Sequence, residues 1–266
     1  MCKPSKQAIA HAFSSKAATY EEFAHWQKES VDHIINFLGY LHPARGTWLD
    51  VGCGIGLLEK SLPREHQPER IICSDIAAHT LQHIALLKMP CTLCSLRMDV
   101  DFLPFRRPSF DVVIAASVLQ WSIDLAAAVE GLASLIAPNG YLIFCVLGDQ
   151  YLQELRETRR HFGVQDPVSF ASVKKISAVL GHSGLRLIAS RHIKKTKRFA
   201  SPLALLKNLT AIGATALGNQ PARIRSIPAF SRKYRELFGD ATSIPATLDM
   251  IVGFAQKQAC FSPSTR

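Results

Sequence analysis

Short apolar runs alternate with helical patterns along the first 150 residues of the chain. Such runs are typical of strands that are buried on both faces of a sheet. They occur at residues 47–51, 71–74, 91–96, 111–116 and 141–147. The spacing typical of helices lies between them, at residues 57–62, 77–87 and 125–136. Strands that alternate with helices in this way predict an α/β fold with a doubly wound, mostly parallel sheet.

Further elements are predicted on both sides of this region. Helices are expected at residues 5–13, 21–38, 150–162, 172–181, 202–217 and 229–238. A polar turn at residues 14–20 is expected to join the first two. A strand is predicted at residues 185–190, extending to 199, and a last strand at 247–256 is expected to lie antiparallel on the sheet edge. The sheet would then have seven strands.

The chain contains no repeat, low-complexity tract or clear linker, so a single domain over residues 1–266 is expected. Its N-terminal helices, at residues 1–40, are expected to lie over the functional site. Residues 45–150 form the expected ligand-binding core. Residues 151–266 are expected to complete the sheet and to supply a helical lid at about residues 199–240.

Three glycines follow the first predicted strand directly, at Gly52, Gly54 and Gly56. Glycine permits a positive φ and lets a ligand approach the backbone closely. A lone Gly-x-Gly-x-Gly is a weak signal, and a tight βα turn without a ligand is the alternative interpretation.

An acidic residue stands at the end of each of the next two predicted strands. Asp75 lies nineteen residues beyond Gly56, where a carboxylate can accept both hydroxyls of a ribose. Asp99 follows the third strand, where a side chain can reach an adenine amino group. The glycine turn and the two acids, in this order, favour a ligand that contains adenosine.

The absence of phosphate-binding spacing narrows the choice of ligand. The turn has neither the G-x-G-x-x-G of dinucleotide binders nor the G-x-x-x-x-G-K-[ST] of nucleoside triphosphate binders. Asp50, directly before the glycines, would repel a pyrophosphate and suits a cationic ligand. S-adenosylmethionine carries an ammonium and a sulfonium and no phosphate, so it is favoured over NAD or ATP.

The composition, with 48% apolar and 20% charged residues, excludes fibrous and disordered classes. The net charge of +10 divides into −3 for residues 1–150 and +13 for residues 151–266. The densest basic run is His192–Arg198, which is either a solvated face or a docking surface for an acidic partner. Nucleic acid is the competing partner, but the run contains no interleaved aromatic residues.

Seven scattered cysteines suit reduced thiols, and the lone Cys91-x-x-Cys94 is interpreted as two ordinary thiols rather than a metal site. No metal is therefore expected. The chain shows no secretory signal and no apolar run of the roughly 20 residues that a membrane span requires. A cytoplasmic location is the resulting expectation.

Successive motifs resemble those of the class I S-adenosylmethionine-dependent methyltransferases. They are Leu49–Gly56, Asp75, the segment at residues 99–104, Phe110-Asp111-Val112-Val113 and Pro138-Asn139-Gly140. Outside this core, other segments resemble the malonyl-acyl-carrier-protein O-methyltransferase family of biotin synthesis. They are Lys6–Ala10, Ala17–Tyr20, Gln27, Leu119-Gln120-Trp121, Glu154-Leu155 and Ala211–Thr215. The chain departs from that family at Thr210 and Ser134, where the family carries Lys and Arg, and at Ala115-Ala116, where it carries Asn.

The resemblance implies transfer of a methyl group from S-adenosylmethionine to the free carboxylate of a malonyl thioester. A carboxylate is ionised at neutral pH and needs no general base. The implied partner is an acidic acyl carrier protein, with docking on His192–Arg198. The alternatives are another small-molecule or RNA methyltransferase, and a non-catalytic protein that binds S-adenosylmethionine.

The resemblance also implies roles for particular residues. Tyr20 is the candidate catalytic residue, which would close the pocket over cofactor and substrate; a surface-packed tyrosine is the alternative. The expected cofactor-binding residues are Gln27, Asp50, Gly52, Cys53, Gly54, Asp75, Ile76, Asp99, Val100 and Ala116. The expected substrate-binding residues are Gln120, Trp121 and Gly213, although Trp121 would suit the core equally well.

Overall fold

A computed structural model describes residues 4–41, 46–106, 108–164, 166, 168, 170–214, 226–240 and 242–258. Its seven strands form one sheet in the order β3-β2-β1-β4-β5-β7-β6. They are β1 (Thr47–Val51), β2 (Arg70–Asp75), β3 (Thr92–Arg97), β4 (Phe110–Ala116), β5 (Ile136–Leu147), β6 (Leu185–Phe199) and β7 (Ile244–Lys257). Strands β1 to β5 are parallel, and β7 runs antiparallel to both of its neighbours. The predicted doubly wound, mostly parallel sheet of seven strands is confirmed.

Ten α-helices of the described residues surround this sheet. They are α1 (Lys6–Ser14), α2 (Ala17–Phe23), α3 (His25–Leu38), α4 (Leu57–Ser61), α5 (Ala78–Ala85), α6 (Leu125–Leu135), α7 (Gln153–His161), α8 (Val173–His182), α9 (Pro202–Ala211) and α10 (Ile227–Phe238). Short 3₁₀ turns occupy Arg64–His66 and Leu119–Trp121. Among the described residues, no helix is long and apolar enough to cross a membrane.

Two apolar layers enclose the sheet, because successive residues of a strand point to opposite faces. Trp48 of β1 packs in the layer that holds the N-terminal helices, whereas its neighbour Leu49 packs in the layer that holds α6 and α8. Val113 and Ile114 of β4 divide in the same way and are fully buried. Burial of each such side chain contributes about 1.5–3 kcal/mol. Packing of these two layers holds the strands in place, and with them the strand ends that form the candidate site.

The N-terminal segment folds differently from the prediction. Residues 17–20, expected to be part of a polar turn, belong to helix α2, because Ala17 and Ala18 are strong helix formers. The helix expected at residues 21–38 is interrupted at Ala24, whose ψ of 37° departs from helical geometry, and α3 begins at His25. Ala24 is fully buried, so the break brings α2 and α3 down onto the core at an angle.

The predicted position of the last strand was wrong. Strand β7 lies between β5 and β6, and β6 forms the edge. The burial of the two strands explains this order: β7 is buried along nearly its whole length, whereas β6 is largely exposed and carries the basic run His192–Arg198. A strand that is apolar on both faces belongs inside a sheet, and a row of lysines protects an edge from pairing with other chains.

The C-terminal helices also end differently from the prediction. Helix α9 stops at Ala211, and Gly213 follows with a φ of +71°, a conformation that glycine adopts without strain. Residues 215–217 of the helix predicted at 202–217, and residues 215–225 of the predicted lid, lie outside the described residues.

Candidate active site

A cavity opens at the carboxyl ends of β1, β2, β3 and β4, where the strand order reverses between β1 and β4. This is the place where open α/β sheets bind ligands. Its empty volume is about 990 Å³, counting the solvent at its mouth. Most of the predicted site residues line it: Tyr20, Gln27, Gly52, Cys53, Gly54, Asp75, Ile76, Asp99, Val100, Ala116 and Trp121.

The glycine turn forms the floor of this cavity. Gly52 has a φ of +75°, and a Cβ at that position would lie 2.7 Å from the side chain of Val118. Gly54 has a φ of +56°, and a Cβ there would meet no atom within 4 Å. The open space beside Gly54 is the cavity itself, so the turn is a cradle that leaves room for a ligand.

Asp75 is fixed at the end of β2 by the same turn. Its Oδ2 accepts a hydrogen bond from the Gly54 N–H at 2.9 Å, and its Oδ1 accepts one from the Ala77 N–H at 2.8 Å. Burial raises the pKa of Asp75, although these backbone donors lower it. Asp75 lines the cavity, where its carboxylate can accept from the hydroxyl groups of a ligand.

Asp99 follows the neighbouring strand β3, lines the same cavity and is held by Lys6, a residue that was not predicted to belong to the site. The Lys6 Nζ lies 2.7 Å from Asp99 Oδ1 and 2.5 Å from Asp101 Oδ2. It also donates to the carbonyl oxygen of Trp121 at 3.1 Å. Lys6 is the first residue of α1, and it therefore anchors this helix across the cavity. The sequence did offer one indication of this role, because Lys6 belongs to the Lys6–Ala10 segment that carries the family resemblance.

Substitution of Lys6 by Met is expected to speed the release of S-adenosylmethionine about tenfold. The anchor joins partly buried groups, and its loss frees α1 from the strand ends while leaving two carboxylates without their cation. Stopped-flow measurement of cofactor release tests this, with Lys28→Met on the exposed face of α3 as the control. A release rate in Lys6→Met equal to that of Lys28→Met would contradict an anchoring role.

Helices α2 and α3 bring Tyr20 and Gln27 to the cavity. Burial of the Tyr20 hydroxyl, followed by the charge of Asp75, raises its pKa, so the phenol stays protonated at neutral pH. Gln27 Oε1 is buried and has no hydrogen-bond partner among the described residues. The site therefore presents a phenol that can donate and an amide oxygen that can accept.

Asp50 lies behind the cavity wall rather than on it. The neighbouring Val51 lines the cavity, and Asp50 is 1% exposed and close to Glu59 of α4. Burial and the adjacent carboxyl of Glu59 raise the pKa of Asp50. Glu59, which was not predicted, is itself buried and accepts a hydrogen bond from the Cys73 thiol at 3.1 Å. Asp50 and Glu59 therefore form a buried carboxyl pair behind the cavity wall.

Gln120 and Gly213 also lie off the cavity wall. The Gln120 side chain turns back, and its Nε2 donates to the carbonyl oxygen of Ser117 at 2.8 Å. Gly213 packs against Phe13, so a Cβ would lie 2.9 Å from that ring. Phe13 does line the cavity and meets Trp121 edge-to-face, with ring centroids 5.5 Å apart. Gly213 therefore packs against a residue of the cavity wall without lining the cavity itself.

Part of the basic run on β6 is neutralised within the chain. His192 Nε2 lies 2.6 Å from Oδ1 of the fully buried Asp249. Lys195 pairs with Glu29, and Arg198 pairs with Asp240. The run is consequently less strongly basic than its sequence suggests.

The residues around the cavity fit S-adenosylmethionine. The Gly54 cradle leaves space for a ligand, the carboxylate of Asp75 on the cavity wall suits ribose hydroxyls, and the unpartnered Gln27 oxygen suits an ammonium group. Asp99, at the end of the adjacent strand, can accept from an adenine amino group. When bound, the adenosine part of this cofactor would be held by the two carboxylates at these adjacent strand ends.

Comparisons with known proteins agree with this geometry. A family model described as a methyltransferase domain matches residues 23–190. The malonyl-[acyl-carrier protein] O-methyltransferase of Halorhodospira halophila is 27% identical over 267 residues, covering 94% of this chain and 87% of that protein. The mitochondrial arginine-hydroxylase NDUFAF5 of Mus musculus is 27% identical over 231 residues, covering 82% of this chain and 66% of that protein.

A similar fold is found in the crystal structure of the YcgJ protein from Bacillus subtilis, with a TM-score of 0.60 and 16% identity. The match covers 87% of this chain and 99% of that one, and at this identity it shows the fold alone. The family model, in contrast, spans more than half of the chain. The chain therefore belongs to the methyltransferase domain family and is a class I S-adenosylmethionine-dependent methyltransferase.

Proposed function

We propose that the chain methylates the free carboxylate of a malonyl thioester carried on an acyl carrier protein, giving the methyl ester. The observation that carries this proposal is the chemistry of the cavity wall. Among its described lining residues there is no histidine, and Tyr20 is held in the protonated state. Such a wall suits an acceptor that is already ionised and needs no base.

The names of similar proteins support the same acceptor. The relative from Halorhodospira halophila is a malonyl-[acyl-carrier protein] O-methyltransferase, and its similarity extends over 94% of this chain, well beyond the cofactor core. Esterification removes the charge of the malonyl group, so the product resembles an ordinary acyl chain. This change suits an early step of biotin synthesis, in which enzymes with apolar pockets extend the chain.

The chain's own residues would position the two reactants and exclude water. Asp75, Asp99 and the glycine turn hold the adenosine end, and Gln27 holds the amino acid end. When bound, S-adenosylmethionine supplies a methyl group on a sulfonium, which a carboxylate oxygen can attack directly. The Tyr20 phenol would donate a hydrogen bond to the acceptor carboxylate and orient it. Phe13 and Trp121 provide the apolar wall that keeps water away.

The rate is expected to show little pH dependence around neutrality. A carboxylate acceptor has a pKa of about 4, so kcat/KM stays flat as the pH falls from about 8 to about 6. An enzyme that depends on a histidine base would lose rate as the pH falls through about 6.5. Initial rates of transfer from methyl-labelled S-adenosylmethionine test this, and a steep fall below about pH 7 would contradict the proposed acceptor chemistry.

A matched pair of acceptors tests the proposal itself. Malonyl and acetyl carrier protein share the carrier and the thioester and differ only in the free carboxylate. Labelled methyl groups are expected on malonyl carrier protein alone. Equal labelling of both, or labelling of RNA with none on malonyl carrier protein, would overturn the proposed function.

A further inference from the structure

A second cavity lies beside the first, between the N-terminal helices, α9 and the outer strands. Its empty volume is about 850 Å³, counting the solvent at its mouth. Apolar side chains form much of its wall: Phe23, Phe199, Leu205, Leu209, Ile212 and Leu248. Gln27 lines both cavities, so they share a wall. Tyr151 of the second cavity is close enough to Tyr20 of the first to raise its pKa further.

Trp26 and Gln27 both line this cavity, and each has a buried polar atom that lacks a partner among the described residues. The Trp26 Nε1–H is a buried donor and Gln27 Oε1 is a buried acceptor, and neither has a hydrogen-bond partner in the part of the chain that the structure describes. Buried polar groups are nearly always paired, so such orphans indicate an absent ligand or water. The Gln27 oxygen suits the cofactor in the first cavity, whereas a carbonyl oxygen of an amide ligand in the second cavity can accept from the Trp26 Nε1–H.

The mouth of the second cavity is basic. Lys195 and Lys197 line it from the exposed edge strand β6, and Lys195 is paired with Glu29. Lys197 Nζ lies 5.4 Å from the centre of the Phe199 ring, and among the described residues no carboxylate oxygen lies within 4 Å of it. Lys197 is therefore placed to meet an anion at the entrance.

We infer that the second cavity binds the phosphopantetheine arm of an acyl carrier protein and delivers its thioester to the shared wall at Gln27. The arm has a phosphate at its outer end for Lys197 and amides along its length, one of which can accept from the Trp26 Nε1–H. The carrier, rather than coenzyme A, is the assigned source because the half of the chain around the mouth has a charge balance of +13 and suits an acidic protein. This inference rests on the proposed function.

A bulky residue within the cavity tests the route. Asn208 of α9 lines the cavity and is half-buried, so Asn208→Trp fills the space without removing a core side chain. The kcat/KM for malonyl carrier protein is expected to fall at least tenfold, while the affinity for S-adenosylhomocysteine stays unchanged. Leu203→Trp, on the same helix but 45% exposed and off the cavity wall, is the matched control and should retain full activity. Unchanged kinetics in Asn208→Trp would overturn the inference.

Charge reversal at the mouth tests the phosphate contact. Lys197→Glu is expected to raise the KM for malonyl carrier protein about tenfold with little change in kcat, and to flatten its dependence on salt. Lys174→Glu makes the same charge change on α8, which packs on the opposite face of the sheet, and should leave KM unchanged. Equal effects of the two substitutions would remove Lys197 from the proposed contact.

A binding measurement separates this inference from the proposed function. Holo carrier protein, which bears the arm without an acyl group, is expected to bind at least tenfold more tightly than apo carrier protein in the presence of S-adenosylhomocysteine. Asn208→Trp should abolish this difference. If holo carrier protein binds more tightly than apo carrier protein but no methyl group is transferred, the proposed function fails and the cavity assignment stands. If holo carrier protein, apo carrier protein and coenzyme A all bind with the same affinity, the cavity assignment fails.

Discussion

Asp75→Ala is expected to lower the affinity for S-adenosylmethionine by about 100- to 10,000-fold. Two hydrogen bonds to a charged acceptor contribute about 1.5–3 kcal/mol each, and every 1.4 kcal/mol is about tenfold in Kd. The substitution also leaves the N–H groups of Gly54 and Ala77 without their acceptor, which loosens the turn that cradles the ligand. Calorimetric titration with S-adenosylmethionine measures the change.

Two further variants show whether the effect is local. Glu130→Ala removes an exposed carboxylate on α6, away from the cavity, and should bind the cofactor like the unsubstituted chain. Asp75→Asn keeps the shape of the side chain and should lose less affinity than Asp75→Ala, because its amide oxygen still accepts. Undiminished affinity in Asp75→Ala would remove Asp75 from the site.

The acids at the strand ends could be predicted because their positions in the sequence also determine where they lie in the fold. Parallel strands present their carboxyl ends at one edge of the sheet, so Asp75 and Asp99 necessarily lie near the glycine turn. Asp50 was harder to place, because adjacency to a glycine does not show which face of the strand a side chain occupies. Val51, one residue later, reaches the cavity instead.

Contacts between distant segments could not be predicted in this way. Lys6 and Asp99 are separated by 93 residues, and their ion pair depends on how α1 packs across the finished sheet. The order of β6 and β7 likewise depends on burial along the whole of both strands, rather than on a short apolar run. Local patterns therefore predicted the parallel core of the sheet and the acids at its strand ends, whereas contacts between distant segments depended on tertiary packing.

Tyr20→Phe is expected to lower kcat for malonyl carrier protein about 100-fold, while the affinity for S-adenosylmethionine changes less than about threefold. The hydroxyl lies at the cavity, and burial together with the charge of Asp75 keeps it protonated and able to donate to an anionic acceptor. Phenylalanine fills the same space and removes only this donor. Steady-state kinetics and calorimetry together separate the loss in kcat from any loss in binding.

The control for Tyr20→Phe is Tyr40→Phe, which deletes the hydroxyl of a tyrosine that is 66% exposed. This variant should match the unsubstituted chain in both measurements. If Tyr20→Phe retains full kcat, the phenol does not orient the acceptor; if it loses cofactor affinity and kcat together, Tyr20 belongs to cofactor binding instead.

The central claim is that a malonyl carboxylate receives the methyl group. Intact-mass measurement of malonyl carrier protein, incubated with the chain and S-adenosylmethionine, tests it most directly. We expect a gain of one methyl group on the malonyl arm, which mild alkali removes as methanol, and no gain on acetyl carrier protein. An unchanged mass for malonyl carrier protein, under conditions in which the chain binds S-adenosylmethionine, would contradict it.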